Sequence, residues 1–223
     1  MTMKYTSDIS RCAKGGDGFT LIELLVAVAI SSFVLLALGN FFISTNKTNT
    51  IQEKVAGTQQ SVRVAMEIMS RDIRMAGLDP VAAAGGASSG AGFVDNGTED
   101  KDTDADSVAI RYDNNGDGDC SDNGETVCFS YDSVNDRLMY RVSNDGGVNW
   151  HLTESLTEDG SITSMSFDYT LADGSNDPDP TANGNLADIR LIEVSICGQI
   201  TGSYSDEHTD TYCFSNTIKP RNM

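Results

Sequence analysis

The sequence predicts an α+β fold in which a long N-terminal helix, transmembrane in its first half, packs against an antiparallel β-sheet head, and three observations predict it. Residues 19–43, FTLIELLVAVAISSFVLLALGNFFI, are apolar over 25 positions, about 37 Å of helix and enough to cross a bilayer core with some tilt. Beyond them Ile51, Val55, Thr58, Val62, Ala65, Met69, Ile73 and Ala76 recur at spacings of three and four, the stripe of an amphipathic helix. Six short β-rich runs follow, at 107–112, 126–131, 137–142, 161–169, 188–196 and 211–218, each bounded by Gly, Asp or Asn.

Lys4, Arg11 and Lys14 precede the apolar run, so the positive-inside tendency keeps the N-terminus cytoplasmic and sends everything after Ile43 outward. The run is too long for a secretory signal core and leads into Ser44, Thr45, Asn46 and Lys47 rather than an A-x-A site, so it is expected to stay as an anchor. The amphipathic stripe continues the span as one helix, with Glu67 four residues ahead of Arg71 in the favourable order for an ion pair. Gly39, Asn40 and Gly57 are the positions expected to loosen it, and Gly77 followed by Pro80 marks its end. The tract after Pro80, VAAAGGASSGAG, reads as an exposed loop or linker, and DSVND between the second and third β-rich runs reads as a hairpin connection.

A formal charge of -18 repels a phosphate backbone, so nucleic acid is not an expected partner of most of this surface. No nucleophile elbow, P-loop or dinucleotide fingerprint is present, and the sequence is read as a non-enzyme. Cys12 lies before the apolar run, while Cys120, Cys128, Cys197 and Cys213 lie after it, an even set that suits an oxidising compartment. The spacings favour pairing of Cys120 with Cys128 and of Cys197 with Cys213, although four cysteines allow three connectivities. His151 and His208 show no metal-type pairing with the cysteines and are expected at the surface.

One acidic stretch carries possible chemistry. In DNNGDGDCSDNGE, Asp113, Asn115, Asp117 and Asp119 stand on alternate residues with Gly118 at the sixth position, the front half of a calcium loop. The twelfth position is Gly124, so the carboxylate that closes the shell is expected from Glu125, one residue on, or from Asp122. Calcium is thus the expected cofactor, with a solvated acidic loop as the alternative. A second acidic stretch, 173–188, lacks the alternation, contains two prolines and reads as a surface loop.

Glu23 is the odd residue of the span, because a carboxylate there costs about 2.5–3.5 kcal/mol on insertion scales and marks a function. Cleavage between Gly18 and Phe19 frees an α-amine on Phe19, a cation four residues from Glu23, and a like pair on a neighbouring subunit cross-neutralises both. The run G-F-T-L-I-E-L-L-V-A, with Gly18, Phe19 and Glu23 in register, resembles the class III signal of type IV pilins and type II secretion pseudopilins. The resemblance implies cleavage after Gly18 by prepilin peptidase, N-methylation of Phe19 and use of Glu23 to dock one subunit onto the next. The sequence departs from the family at Asp17, where a basic or neutral residue is more usual.

Residues 70–80, SRDIRMAGLDP, the hairpin around Arg137 and the closing strand that ends in Lys219, Pro220, Arg221 and Asn222 are similar to PilW-type minor pilins and, more loosely, to J-type pseudopilins. That similarity implies a pilin-like fold and a low-abundance place in the fibre-tip complex that primes assembly. The implied partners are prepilin peptidase, other major and minor pilins, the inner-membrane assembly platform of a pilus or secretion machine, and membrane lipid before assembly. The expected organisation is a leader at 1–18, a transmembrane and assembly helix at 19–43, its amphipathic continuation at 44–77 and a β-rich head at 78–223. The alternatives are a pseudopilin of a type II secretion system and a membrane-tethered, calcium-dependent adhesive module.

Overall fold

The computed structural model describes residues 18–85, 90–95, 102–201 and 209–223. Cys12, Asp17, His208 and the leader's basic residues Lys4, Arg11 and Lys14 lie outside the described residues. The chain divides into two compact units, Met1–Thr50 and Ile51–Met223.

Helix α1, Leu21–Met75, runs 55 residues through Gly39, Asn40 and Gly57, the positions expected to loosen it. Its polar side chains bond inward rather than breaking the turns: the hydroxyls of Ser32, Thr48, Thr50, Thr58 and Ser61 each donate to the carbonyl four residues back. Ser32 thereby satisfies its hydroxyl inside the apolar segment, where no water would do so. In the first unit the whole apolar stretch is exposed, Phe33 for instance at 75%, and among the described residues this is the one helix long and apolar enough to cross a membrane.

In the second unit the predicted stripe is the inner face of α1, with Val62, Ala65, Met69, Ile73 and Ala76 fully buried. The helix ends where Gly77 takes a left-handed φ of 77°. A Cβ there would stand 2.8 Å from Met223 Sδ and 3.0 Å from the Asn222 carbonyl, so the C-terminal segment closes over a position only glycine fits. Arg71 was expected to pair with Glu67; it turns instead to the adjacent Asp72, Nε to Oδ1 at 3.0 Å.

Where the sequence predicts one antiparallel sheet, the structure has two, both antiparallel. The first is a meander of β1 (Gly92–Phe93), β2 (Ser107–Arg111), β3 (Thr126–Asp132), β4 (Arg137–Ser143) and β5 (Trp150–Ser155). The second is ordered β7-β6-β8-β9, built from β6 (Ile162–Leu171), β7 (Asn176–Asp177), β8 (Ile189–Thr201) and β9 (Thr209–Ile218). Alternate residues of both sheets, Val108 and Ile110, Val127 and Phe129, Phe167 and Tyr169, Ile192 and Val194, join the α1 stripe in one core. The alternation was legible in each run, but it does not say which runs pair. The DSVND hairpin is present, with Asp132 opposite Arg137 and the Val134 and Asn135 amides donating to Asp132.

The VAAAGGASSGAG tract is not simply linker: it begins with a helical turn, α2 (Pro80–Ala83), capped by Asp79, and β1 follows it. The 173–188 stretch likewise contains β7, a turn α3 (Pro180–Asn183) capped by Asp179, and a 3-10 turn at Leu186–Asp188. Asp177 organises it, accepting from the side-chain amides of Asn183 and Asn185 and from the Asp179 amide. Tyr169, fully buried, donates its hydroxyl toward the carbonyls of Asp104 and Ser107, and the Phe167 amide donates to the Ala105 carbonyl, so the second sheet is fastened to the segment entering the first.

Asp72 is the strained charge of this core. Its side chain is 2% exposed, Oδ1 faces Arg71, and Oδ2 has no hydrogen-bond partner among the described residues. Burial raises its carboxyl above the usual range, with Arg71 partly offsetting; the Tyr112 and Tyr140 phenols are raised by their own burial first and by Asp72 second. Because the folded pKa lies above the unfolded one, the fold favours the protonated form, and the cost is present at neutral pH and vanishes as pH falls through the folded pKa toward about 3.9. Asp72→Asn is expected to raise the Tm of the head by ~2–4 °C at pH 7, an effect of about 1 kcal/mol that shrinks as the pH is lowered toward 4. Thermal scans across that range check it, and a difference independent of pH would remove Asp72 as the cause.

Candidate functional site

Gly18, Phe19 and Thr20 lead directly into α1. Thr20 is the cap: its hydroxyl oxygen accepts from the Glu23 amide at 3.3 Å and its carbonyl from the Leu24 amide at 3.2 Å. Thr-x-x-Glu ahead of an apolar run is a capping-box pattern, the signal by which Thr20 is legible in the sequence though the prediction above does not name it. Phe19 thus stands just outside the first turn, 79% exposed, and Glu23 inside it.

Phe19, Ile22, Glu23, Val26, Ala27 and Ile30 form one stripe of the helix, bordering a shallow groove of about 460 Å³. The positive end of the helix dipole stabilises a carboxylate at Glu23 by ~0.3–1 kcal/mol. That falls short of the ~2.5–3.5 kcal/mol cost of a carboxylate in lipid. The helix dipole alone therefore does not offset the cost of a carboxylate at Glu23 in lipid.

The acidic loop is a folded element, and Asp113 and Glu125 hold it. Asp113 is fully buried and accepts from the Gly116 amide at 2.5 Å and the Gly118 amide at 3.0 Å. Glu125, 2% exposed, accepts from the amides of Asn114, Asn115 and Asp122. Asn115 bonds Asp117 and Asp122 along the rim, and the Ser121 hydroxyl and amide hold the Asp119 carboxyl below the usual carboxylate range. The expected set is therefore brought into one loop, but its two buried carboxylates serve backbone amides that a glycine-rich turn would otherwise leave unpaired. Among the described residues no group of three or more His, Cys, Asp or Glu side chains is gathered to hold a metal ion.

Cys197 and Cys213 face each other across β8 and β9, Cα atoms 4.1 Å apart, and are bridged as the spacing suggested. The expected Cys120 to Cys128 bridge is not formed: both are buried thiols. The Thr126 hydroxyl donates to the Cys120 carbonyl, which fixes Cys120 beside Thr126, two residues or about 6.8 Å along the strand from Cys128. Cys128 instead packs with Val94 and Ala109. His151 lies exposed on β5, as expected.

Comparison with known proteins gives two family matches. Residues 52–218 match the family described as Prepilin peptidase-dependent protein B, and residues 17–39 match the Prokaryotic N-terminal methylation motif. A relative, the Pilin-like protein PilA3 of Thermus thermophilus, is 38% identical over 60 residues, which is 27% of this chain and 26% of that protein. The match thus spans about a quarter of the relative's length.

Removing the Asp113 carboxylate strands two loop amides. Asp113→Ala is expected to lower the unfolding free energy by ~1–3 kcal/mol in chelator. Denaturant titration with EDTA present measures it, and an unchanged midpoint would show that the loop is held by something else.

Proposed function

The chain belongs to the prepilin peptidase-dependent protein B family, a type IV pilin-like protein, and from that premise we propose that it is a PilW-type minor pilin of the complex that primes fibre assembly. It is a structural subunit with no catalytic step. Prepilin peptidase removes the leader after Gly18, the Phe19 amine is methylated, and the head stands on the extracytoplasmic side while the helix waits in the inner membrane. On assembly the apolar stripe moves from lipid to the helices of other pilins, and Glu23 takes the Phe19 ammonium of a neighbour, the two charges leaving lipid together.

The observation that carries this reading is the single stripe on which Phe19, Glu23 and the small Ala27 stand among exposed apolar side chains. A plain anchor needs no carboxylate there and would be more stable without one. Fibre assembly on a type II secretion platform uses the same stripe and is the alternative machine.

Calcium belongs to the proposal as a ligand of the 113–125 loop. Its support is that Asn114 and Asn115 reach Glu125 and Gly116 and Gly118 reach Asp113, so the one-residue offset of Glu125 does not keep its carboxylate from the front half of the loop.

Glu23→Ala is expected to leave leader removal intact, by mass spectrometry of the mature chain, and to deplete the protein at least tenfold from sheared fibres. Wild-type levels in fibres would overturn the role of Glu23; a mature chain beginning elsewhere than Phe19 would overturn the processing. Deletion with parallel assays of surface pili and protein secretion assigns the machine. Isothermal calorimetry is expected to record Ca²⁺ uptake that Asp117→Ala abolishes, and heats unchanged by that substitution would place the ion outside this loop.

A further inference from the structure

Along the exposed flank of α1 the second unit has a groove of about 1000 Å³, walled by the helix on one side and by Asn216 of β9 and the C-terminal segment on the other. Among the described residues four arginines line it, Arg63, Arg71, Arg74 and Arg221, with Glu67 as the one carboxylate. That is a concentration of positive charge on a chain whose formal charge is -18. Arg71 is held by Asp72, and Arg63 lies 5.7 Å from the ring centre of Phe214. Among the described residues, Arg63, Arg74 and Arg221 have no carboxylate within ion-pair distance. Between them the wall is apolar, with Val64 50% exposed. Guanidinium forks around an apolar strip suit a segment that brings several carboxylates on a compact backbone.

The chain itself has such a segment. The 113–125 loop exposes Asp117, Asp119 and Asp122, and the buried Asp113 and Glu125 fix it from beneath, so the three outer carboxylates are presented on an already folded turn. None of the three pairs with a cation of its own chain among the described residues. We infer that the arginine groove of one copy receives the 113–125 loop of a second copy.

Two chains of like net charge repel at a distance. That repulsion is screened beyond a Debye length of about 8 Å at physiological salt, while guanidinium–carboxylate pairs within 4 Å are screened far less. Local complementarity therefore decides the contact. The setting rests on the fibre reading above, in which heads become neighbours, but the chemistry of the contact does not.

Charge exchange tests it on the full-length protein in detergent, with EDTA present to keep metal from the loop. In one variant Arg63, Arg74 and Arg221 are changed to Glu; in the other Asp117, Asp119 and Asp122 are changed to Lys. Sedimentation velocity is expected to show self-association of the wild type, loss of about tenfold or more in each variant alone, and recovery in their equimolar mixture, where opposite charges face each other again. The single changes Arg74→Glu and Asp119→Lys, scored the same way, cover the case in which a triple variant misfolds. A monomeric wild type, a groove variant that associates like wild type, or a mixture no better than its parts would overturn the inference. So would binding to phosphatidylglycerol vesicles that the groove variant loses while its self-association persists. Glu23→Ala in parallel separates this contact from helix assembly, because it is expected to leave the charge-exchange pattern unchanged.

Discussion

The hydrophobic core of the head closes on one stripe of α1. Val62, Ala65, Met69, Ile73 and Ala76 supply the apolar ridge, and inward residues of both sheets complete a single core against it. A stripe of that width on a lone helix would not hold its shape in water; helix and sheets each bury a face the other leaves open. The remaining fastenings hold this packing in place: Tyr169 between the sheets, the Cys197 to Cys213 bridge along β8 and β9, and the C-terminal segment over Gly77.

The first half of the same helix follows the opposite rule. Its side chains are as apolar as those of the core, yet in the chain by itself they are exposed, so what covers them must come from outside, in the proposed function first lipid and then other helices. Apolar contact alone would let neighbouring helices slide past one another. In the proposed assembly a single carboxylate among apolar side chains removes that freedom, because only one offset brings it to a cation, and a charge placed wrongly in lipid costs more than the helix dipole returns. On that proposal register is a matter of electrostatics, cohesion a matter of packing.

The head uses carboxylates in two further ways. At Asp113 and Glu125 they stand in for missing secondary structure, accepting the amides of a loop too rich in glycine to pair its own backbone. At Asp72 a carboxylate is buried with one oxygen unmet among the described residues, a cost the surrounding core carries. The exposed acids at Asp117 and Asp119 accept loop amides too, but their carboxylates, with that of Asp122, face solvent, and the arginines beside α1 mirror them in charge.

Much of this was legible along the chain, because helix and strand leave their periods in local order. The apolar run, the three-and-four stripe, the stop at Gly77 and Pro80, and six of the strands all read from spacing, as did Glu23 against its apolar surroundings. The T-x-x-E cap at Thr20 was also there to be read. The strands β1 and β7, two residues each, and the edge strand β5, whose WHLTES is mostly polar, left no such period. Pairing left none either: that strands form two sheets rather than one, that Arg71 chooses Asp72 over Glu67, and that Cys128 packs with Ala109 instead of bridging Cys120 depend on which distant segments meet. Sequence alone determined the helix, its membrane segment and its misplaced charge, since each is a property of neighbours three or four residues apart. Only tertiary structure decided the sheet order, the buried acids and the far wall of the arginine groove, where Asn216 and Arg221 meet the Arg63, Arg71 and Arg74 face of α1, because these join residues whose proximity no local spacing encodes.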